Sequence, residues 1–424
     1  MAQDPLNVLW IEPTFPGRLG AVADWLTRRR GYRSWFYCHN LEPRENWPPS
    51  VGRGLDVQVF AVGGVARETA VSWSRALERG LCYAYGCWEV LEKNRPRPID
   101  LIVGRSAGLG SSLFTPVYDR AAPIAQFFDY FYHGRSHDLA DEAGPETPSA
   151  YFHWRRSSAA IELLDLEQAA MAWTPTEWQR SLYPAEYRDE MAVLHDGIDT
   201  QRFDRSAWHA SGRGRRSIAG RPIPESTRVI TFVARSVDRL RGFDRFLDVA
   251  NAVLHARRET IAVVIGERTV RRGLDVAFHN KDYVAHLLGQ RPAVDPDRLW
   301  ILGATPPAVV AEALAASDLH FAPSRAYPVA RSTLEAMSAG CVVMASDQAP
   351  HREVIEHGRT GMLMDPSDTS AMVDRTLAIL NDPSEYRPIG EAAAAMIRER
   401  FSQNVCLPRL ADRFNVLALS GRRI

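Results

Sequence analysis

Cationic and hydroxyl side chains surround a glutamate in the stretch SRAYPVARSTLEAMSAGCVVMASD, residues 324–347. Arg331, Ser332 and Thr333 stand at the predicted start of a helix, and Glu335 follows about one turn later. Backbone N–H groups at a helix N-terminus lack intrahelical partners and carry partial positive charge, so they suit a phosphate. A carboxylate one turn further on suits two neighbouring hydroxyls, which a ribose offers.

A second interpretation of this stretch needs no ligand. Ser332 and Thr333 would simply cap the helix, and Glu335 would be an ordinary first-turn carboxylate. The stretch taken alone supports the two interpretations equally.

A pair of arginines in ITFVARSVDRLRGF, residues 230–243, favours the ligand. Arg235 stands at the end of a predicted strand, and Arg241 stands just before Gly242 and a predicted helix. Two guanidiniums and a helix N-terminus that converge on one point suit a diphosphate. Surface salt bridging is the ordinary alternative for such arginines, but the coincidence with the first stretch favours a functional role.

The elements that must position these residues alternate along the chain. Apolar runs such as RVITFVARS, TIAVVIGE and LWILGATP alternate with helical patterns in the second half, and the first half shows a looser version. This alternation predicts parallel sheets covered by helices. Two such doubly wound domains imply a cleft between the carboxyl ends of their sheets, where ligands of this fold class bind.

The chain length of 424 residues fits two domains. We expect a first domain over residues 1–205, a second over 206–385, and a C-terminal helical segment over 386–424 that packs back on the first. The Arg-, Gly-, Ser- and Pro-rich segment 204–227 is the best linker. Residues 155–175 are expected to be helical, and residues 191–203 to be a strand followed by a turn.

Composition narrows the functional classes. A formal net charge of zero gives no strong field for nucleic acid. Five dispersed cysteines argue against a disulfide framework or a zinc site. The sequence also shows no Asp-x-Asp motif at the end of a predicted strand, which would have suggested a bound metal. The sequence lacks a secretory leader pattern and a long apolar run, so we expect a cytoplasmic protein, with contact to the inner membrane face peripheral at most.

The segment HFAPSRAYPVARSTLEAMSAGCVVMASDQAPHREVIEHGRTGMLMDPSD resembles the nucleotide-sugar segment of retaining glycosyltransferases of family four. FVARSVDRLRGFDRF matches the Arg…Lys-Gly segment of that family, and VLHDGIDTQRF is similar to its Asn-Gly-Val-Asp linker motif. The stretch from residue 151 to 184 resembles a subgroup often placed in polysaccharide or glycoconjugate assembly.

The resemblance implies an α/β protein of the GT-B fold, with two doubly wound Rossmann-like domains that face an interdomain cleft. It implies transfer of a sugar from a nucleoside diphosphate sugar, UDP-sugar by default, to an acceptor hydroxyl with retention of anomeric configuration. The acceptor would be a carbohydrate, a lipid-linked molecule or a small molecule. Neither a metal nor a cofactor is expected, because two arginines supply the positive charge.

The resemblance also assigns roles to residues of the second domain. The family carries a Glu-x7-Glu pair whose second member binds the donor ribose, and that role falls on Glu335. The first member contacts the donor sugar, and here it is Tyr327, which can hydrogen-bond a hydroxyl but carries no charge. The matching cations are Arg235 and Arg241, which we expect to be catalytic. The other residues expected to bind the donor follow Tyr327 directly: Val329, Ala330, Arg331, Ser332 and Thr333.

In the first domain, the family places a glycine-rich loop after the first strand. Here it is PTFPGRLG, where Gly17 would let the donor approach closely, although ordinary turn chemistry explains the glycine equally well. Arg105 stands where related enzymes often carry a histidine. The segment FFDYFYHGRSHD supplies Asp129, expected to be catalytic, and His133; Arg105 and His133 are expected on the acceptor side. A structural role is the ordinary alternative for His133.

Rival functions follow from the same features. An epimerase or hydrolase that acts on nucleotide sugars would share the two-domain shape. A binding protein that has lost turnover is the second rival, because Tyr327 departs from the family pattern. A dinucleotide-dependent oxidoreductase is disfavoured, since no Gly-x-Gly-x-x-Gly follows the first strand NVLWIE.

Overall fold

The computed structural model describes residues 5–62, 74–94, 96, 98–106, 108–133, 136–138, 147, 149–210, 217–269 and 282–421. These residues form two compact units. The first unit combines Met1–Ser136, Pro145–Asp196 and Cys406–Ile424, and the second combines His137–Gly144 and Gly197–Val405. The boundaries that the sequence predicts at residues 205 and 385 stay predictions.

The first unit is built on a seven-stranded sheet in which every pairing is parallel. Its strand order is β5-β3-β1-β6-β7-β8-β9, and β2 pairs with β4 in a separate two-stranded sheet. The strands of this unit are β1 (Asn7–Ile11), β2 (Thr14–Phe15), β3 (Arg33–Cys38), β4 (Asn40–Leu41), β5 (Leu55–Val59), β6 (Leu101–Arg105), β7 (Ile124–Phe127), β8 (Met171–Thr174) and β9 (Ala192–Val193).

Helices follow most of these strands, as a parallel sheet requires. They are α1 (Leu19–Arg30), α2 (Arg75–Asn94), α3 (Thr115–Tyr118), α4 (Ser149–Gln168), α5 (Glu177–Ser181) and α6 (Ala185–Arg188), and a 3-10 turn covers Arg44–Asn46. Helix α1 ends at Gly31, whose φ of 70° is the left-handed conformation that glycine adopts without strain.

The second unit contains a six-stranded parallel sheet in the order β14-β13-β12-β15-β16-β17. This is the doubly wound order in which the chain starts in the middle of the sheet and grows toward each edge in turn. The strands are β10 (Ser217–Ile218), β11 (Arg221–Pro222), β12 (Arg228–Ser236), β13 (Thr260–Glu267), β14 (Leu299–Gly303), β15 (Leu319–Ala322), β16 (Val342–Ser346) and β17 (Met362–Met364), of which β10 and β11 form a separate hairpin.

Helices of the second part of the chain complete the pattern. They are α7 (Arg205–Ala210), α8 (Phe243–Ala256), α9 (Tyr283–Gln290), α10 (Pro307–Ala316), α11 (Arg331–Ser338), α12 (Ala349–Arg352), α13 (Thr369–Asn381), α14 (Pro383–Met396) and α15 (Gln403–Gly421), and a π-helical turn covers Ile397–Phe401. Helix α15 supplies Leu407, Leu410, Ala411, Phe414 and Ala418 to a core of the first unit.

Each sheet has a hydrophobic core on both faces, which explains the continuous apolar strands. Along β12, Ile230 and Phe232 belong to one core, while Val229 and Val233 belong to the other. Successive side chains of a strand point to opposite faces, so an unbroken apolar run is what a sheet covered on both sides needs. The predicted pair of doubly wound α/β domains is confirmed.

One local prediction is wrong. The run expected to be helical over residues 155–175 ends its helix at Gln168 and continues as strand β8 (Met171–Thr174). The strand and the turn expected over residues 191–203 are present, and the strand is limited to β9 (Ala192–Val193). The predicted linker stays a prediction; its described residues include helix α7 and the β10–β11 hairpin, and residues 211–216 lie outside the described residues.

Candidate functional site

The two stretches singled out in the second unit lie side by side. Strands β12 and β15 pair in parallel, with Ile230 opposite Leu319 and Phe232 opposite Phe321. Their carboxyl ends therefore open at the same edge of the sheet, and the strand order reverses between them. Ligands of doubly wound sheets bind outside this switch point. Arg235 lies near the carboxyl end of β12, and Arg241 lies in the loop that follows this strand. The loop after β15, residues 323–330, leads into α11.

An ion pair fixes the loop of residues 323–330 against helix α8. Both terminal nitrogens of Arg325 contact the Asp244 carboxylate, at 3.1 and 2.8 Å, and Arg325 also donates to the carbonyl of Arg239. Burial alone would raise the pKa of Asp244, but the bonds and charge of Arg325 lower it. A bidentate pair of this kind fixes direction as well as distance. Sequence reasoning missed it, since the two residues are distant in the chain.

A buried histidine also contacts the loop of residues 323–330. His351 accepts or donates through both ring nitrogens, with Nδ1 at 3.0 Å from the Ser346 carbonyl and Nε2 at 3.4 Å from Ser324 Oγ. A carbonyl can only accept, so Nδ1 carries the proton and Nε2 accepts from the hydroxyl. Burial, reinforced by the charge of Arg241, lowers the pKa of His351 to about 4. His351 is therefore neutral at physiological pH.

Arg241 is held by a carbonyl and a ring. Its Nη1 donates to the carbonyl of Pro328 at 2.7 Å, and its guanidinium lies 4.9 Å from the centre of the Tyr327 ring. Tyr327 is 8% exposed. A guanidinium over an aromatic face is attracted by the ring quadrupole while it keeps its full charge. The structure thus brings together two residues that the sequence predicted for the donor site.

The start of α11 differs from the capped helix start that the interpretation without a ligand requires. Ala330 is the N-cap residue, and among the described residues no side chain caps this end. The Ser332 hydroxyl donates to the carbonyl of Val233 on strand β12 at 2.5 Å. Thr333 Oγ1 is buried and has no hydrogen-bond partner within the described part of the chain. The alternative interpretation, in which Ser332 and Thr333 cap the helix, does not hold, because the N-cap residue is Ala330.

Arg331 and Glu335 contact each other on one side of this helix. Arg331 Nε lies 3.2 Å from Glu335 Oε1, and an Nη of Arg331 donates to the carbonyl of Gly197 at 3.0 Å. Val329 and Ala330 are half-buried, and Arg235 is exposed. The residues that the sequence predicts for the site in the second unit thus lie at the end of β12, on the two loops, or on the first turns of α11.

The predicted residues of the first unit belong to a network of ion pairs. Arg105 contacts Glu12 at 2.6 Å and Asp129 at 3.1 Å. Arg18 contacts the other oxygen of Asp129 and also Asp196, both at 3.0 Å. Burial alone would lower the pKa of Arg18, but the Asp196 and Asp129 carboxylates raise it. Three carboxylates therefore surround two guanidiniums at the ends of β1, β6 and β7.

The glycine-rich loop makes room for one of these carboxylates. Gly17 has φ of +52°, and a Cβ on it would lie 2.4 Å from the Thr14 carbonyl oxygen and 2.6 Å from Glu12 Cδ. Glu12 Oε2 accepts from the backbone N–H of Leu19, the first residue of α1, at 2.7 Å. The start of α1 is thus occupied by the chain's own carboxylate, and the geometry around Gly17 is fully explained by that contact.

His133 lies on the loop after β7 with Asp129. Its carbonyl accepts from the backbone and the hydroxyl of Ser136, and its ring centre lies 5.1 Å from that of Phe131. Gln179 Nε2 donates to the carbonyl and to Oδ1 of Asp129, at 2.5 and 3.3 Å. The loop is therefore tied down around Asp129.

Another buried carboxylate of this unit, Asp165, has hydroxyl and amide partners. Asp165 accepts from the Ser112 hydroxyl and from Gln168 Nε2, both at 3.3 Å. Burial raises its pKa to about 7, although its bonds to Ser106, Ser112 and Gln168 oppose the shift. Asp165 lies in helix α4 rather than at the end of a strand.

Sequence reasoning missed several residues that shape these regions: Glu12, Arg18, Asp196, Arg325 and His351. Two of them carried a usable signal, since Glu12 directly precedes the glycine-rich loop after the first strand and Arg18 lies within it. Among the residues with described positions, no group of three or more His, Cys, Asp or Glu side chains is placed to hold a metal ion. Within the described ranges, no helix combines the length and apolar character that crossing a membrane requires.

The two units and their sheets define a GT-B protein with two Rossmann-like domains. A model of the glycosyl transferase family 4 group matches residues 30–203, and one of glycosyl transferases group 1 matches residues 227–382. The chain belongs to the family four glycosyltransferases, which confirms the resemblance read from the sequence.

Two curated relatives illustrate the similarity. The alpha-maltose-1-phosphate synthase of Mycolicibacterium smegmatis is 28% identical over 228 residues, 52% of this chain and 55% of that protein. The lipopolysaccharide core biosynthesis mannosyltransferase LpsB of Rhizobium meliloti is 30% identical over 228 residues, 52% of this chain and 57% of that protein. The chain thus spans about half the length of the curated relatives it matches.

Solved structures show the same fold over nearly the whole chain. HepE of Anabaena, in complex with UDP and glucose, has a TM-score of 0.67 at 17% identity and covers 96% of this chain and 99% of its own. Sucrose-phosphate synthase of Thermosynechococcus elongatus has a TM-score of 0.72 at 14% identity, with 98% and 100% covered. At these identities the likeness concerns the fold.

Proposed function

We propose that this protein transfers a sugar from a UDP-sugar to an acceptor hydroxyl with retention of anomeric configuration, in polysaccharide or glycoconjugate assembly. The observation that carries the proposal is the meeting of the two loops at the switch point of the second sheet. There Arg241 contacts Tyr327 and Pro328 beside a helix start that has no side-chain cap among the described residues. UDP is supported by the fold's likeness to HepE, which was solved with UDP.

The chemistry requires stabilisation of a leaving diphosphate. The bond between the anomeric carbon and the phosphate oxygen breaks, and negative charge grows on the diphosphate. Arg235, Arg241 and the N–H groups at the start of α11 would stabilise that charge. Donors that are already oriented when the charge develops are worth about 3–4 kcal/mol each in a dry site. The same charge would make a metal ion and any cofactor unnecessary.

The remaining predicted residues complete the donor site. Glu335 would accept the ribose hydroxyls, and Tyr327 with the backbone of Val329 and Ala330 would contact the diphosphate-sugar. Ser332 contributes indirectly, because its hydroxyl ties the helix start to strand β12. Thr333 offers a buried hydroxyl close to the same turn.

For the first unit we propose an acceptor role. Asp129 lies at the centre of the ion-pair network, between Arg18 and Arg105, and would orient the acceptor hydroxyl. His133 follows on the same loop. For Gly17, in the loop after β1, we propose the other role, that it lets the donor approach closely. We also propose a cytoplasmic location with peripheral contact at the inner membrane face at most, and a carbohydrate, lipid-linked or small-molecule acceptor.

A product assay tests the proposal. The protein is first screened for thermal stabilisation by UDP-, GDP- and dTDP-sugars, because a ligand that binds only the folded state raises the melting temperature. The stabilising donor is then incubated with acceptor alcohols in the presence of EDTA, and the product anomer is identified by NMR. We expect an α-linked product from an α-linked donor, formed equally well with the chelator. An inverted product, or a strict need for added metal, would contradict the proposal.

One observation favours a second candidate, a nucleotide-sugar-binding protein with epimerase or hydrolase activity or without turnover. Tyr327 replaces the charged residue that contacts the donor sugar in the family. Formation of free sugar without transfer to any alcohol would favour a hydrolase, and formation of an epimer without transfer would favour an epimerase. Donor binding without any product after long incubation would favour a binding protein without turnover.

A further inference from the structure

Arg331 reaches two fixed acceptors from the first turn of α11. Its Nε donates to Glu335 Oε1 at 3.2 Å, and an Nη donates to the carbonyl of Gly197 at 3.0 Å. The side chain of Arg331 is 32% exposed, and that of Glu335 is 14% exposed. Because the guanidinium is planar and rigid, fixing one of its edges also fixes the direction of the others.

The Gly197 carbonyl is a rigid anchor. Gly197 has φ of +77°, and a Cβ on it would lie 2.6 Å from Gln403 Cα, so only glycine fits this conformation and this space. The next residue, Ile198, donates to the carbonyl of Phe401 at 2.7 Å and accepts from the N–H of Gln403 at 3.0 Å. The glycine of the HDGID motif is therefore held by backbone bonds, and its carbonyl has one direction.

We propose that Arg331 is a positioning residue that holds the Glu335 carboxylate for the ribose hydroxyls of the donor, with the Gly197 carbonyl as its anchor. The inference rests on the proposed function, because it assumes that Glu335 binds the ribose. It gives the HDGID motif a role in the donor site: the motif supplies the carbonyl that fixes the arginine, and the arginine fixes the glutamate.

The chemistry of the pair suits this role. A carboxylate has about four lone-pair sites, so a single ion pair does not saturate it. A glutamate side chain has three rotatable bonds and loses considerable rotamer entropy when a ligand orders it. If Arg331 orders the side chain beforehand, that loss occurs during folding rather than during binding. An Arg331 that acted on the diphosphate instead would affect every nucleoside diphosphate alike.

The test compares UDP with 2′,3′-dideoxy-UDP as ligands of the full chain, by isothermal titration calorimetry. We expect the wild type to prefer UDP by about tenfold or more, because the dideoxy ligand leaves buried acceptors without their hydroxyls. In Arg331→Met the preference should fall to threefold or less, with the affinity for dideoxy-UDP within about threefold of wild type. Arg331→Lys, which keeps the charge but lacks the two-edged geometry, should give an intermediate preference.

Other results overturn the inference. If Arg331→Met keeps the same preference for UDP over dideoxy-UDP as the wild type, Glu335 binds the ribose without being positioned by Arg331. If the variant loses affinity equally for both ligands, Arg331 contacts the phosphates instead. Arg352→Met, which breaks the exposed Arg352–Asp347 pair in the same unit, is the matched control and should leave both affinities unchanged.

Failure of the proposed function has a different signature. If the wild type binds neither UDP nor any of the UDP-, GDP- and dTDP-sugars used in the screen, the donor site itself is wrong. If it binds UDP and dideoxy-UDP equally, the ribose role of Glu335 is wrong, and the role proposed for Arg331 fails with it.

Discussion

Two helix starts lie at the carboxyl ends of the two sheets, and the chain treats them in opposite ways. Helix α1 begins at Leu19, whose N–H is bonded to the Glu12 carboxylate. Helix α11 begins at Arg331, and no side chain among the described residues caps it. A carboxylate at a helix N-terminus occupies the place that an anionic ligand would otherwise take.

The arginines near the two helix starts also have different partners. Near α1, the guanidiniums of Arg18 and Arg105 contact three carboxylates. Near α11, Arg241 is held by a carbonyl oxygen and an aromatic face, which hold it in place without neutralising it. The comparison teaches that the fold alone does not make an anion site. Such a site also needs cations that the chain positions without pairing them to its own acids.

The largest effect is expected on the free energy of unfolding, when a substitution removes a guanidinium from the ion-pair network of the first unit. Arg105→Met leaves Glu12, which is 1% exposed, without its closest cation. Breaking a buried pair from one side costs about 3–5 kcal/mol of unfolding free energy. Chemical denaturation should show this loss, and a change below about 1 kcal/mol would show that the network is not an internal support.

The double variant Glu12→Gln with Arg105→Met sharpens this prediction. Removing both partners restores the net charge that the network has in the wild type, so the double variant should be more stable than Arg105→Met alone. A double variant as unstable as the single one would attribute the loss to packing rather than to charge.

In the second unit, the large effect should appear in catalysis rather than in stability. Arg241→Ala removes a cation from the proposed diphosphate site, and kcat/KM should fall about 100- to 1,000-fold. Arg228 lies at the opposite end of strand β12, where it donates to the Leu380 carbonyl and contacts Asp318. Arg228→Ala should lower the melting temperature yet keep UDP affinity within about twofold. Equal kcat/KM losses in both variants would abolish the distinction between the two ends of the strand.

The last effect depends on pH and concerns Asp165, a buried carboxylate of the first unit that has hydroxyl and amide partners. Its pKa in the folded protein is about 7, above the value of about 3.9 for an unfolded chain. The neutral form therefore stabilises the fold at low pH, and this contribution is lost as the pH rises from about 4 to 7. Asp165→Asn cannot ionise, so its stability relative to wild type should increase across that range by at most about 1.4 kcal/mol per pH unit.

Melting temperatures measured from pH 4 to pH 9 check this, and the difference should level off above pH 7. The exposed Asp56 offers a control, since Asp56→Asn should show no such trend. A constant difference between Asp165→Asn and wild type at every pH would show that Asp165 does not titrate within its buried site.

Much of the second unit could be predicted because its strands are unambiguous. RVITFVARS and TIAVVIGE match β12 and β13 residue for residue, since an unbroken apolar run of this length suits a strand covered on both faces. The first unit was harder. Met171–Thr174 follows a helical run after only two residues and has too few residues to show a period of its own, so the helical pattern seemed to continue.

The candidate site could be predicted in part for a related reason. Arg235, Arg241, Arg331 and Glu335 follow strands or open a helix, and parallel topology brings such positions to one edge of a sheet. The partners that fix them could not be predicted. Arg325 and Asp244 are 81 residues apart, and Arg331 and Gly197 are 134 residues apart.

The sequence by itself determined the fold class, the family and the identity of the residues at the ends of the strands, because periodicity and local motifs are properties of neighbouring residues. Only the tertiary structure decided that Glu12 occupies the start of α1 while the start of α11 has no such cap among the described residues. It also decided that Arg241 rests against Tyr327 rather than against an acid. The physical reason is that the charge available to a ligand depends on which side chains meet across the fold.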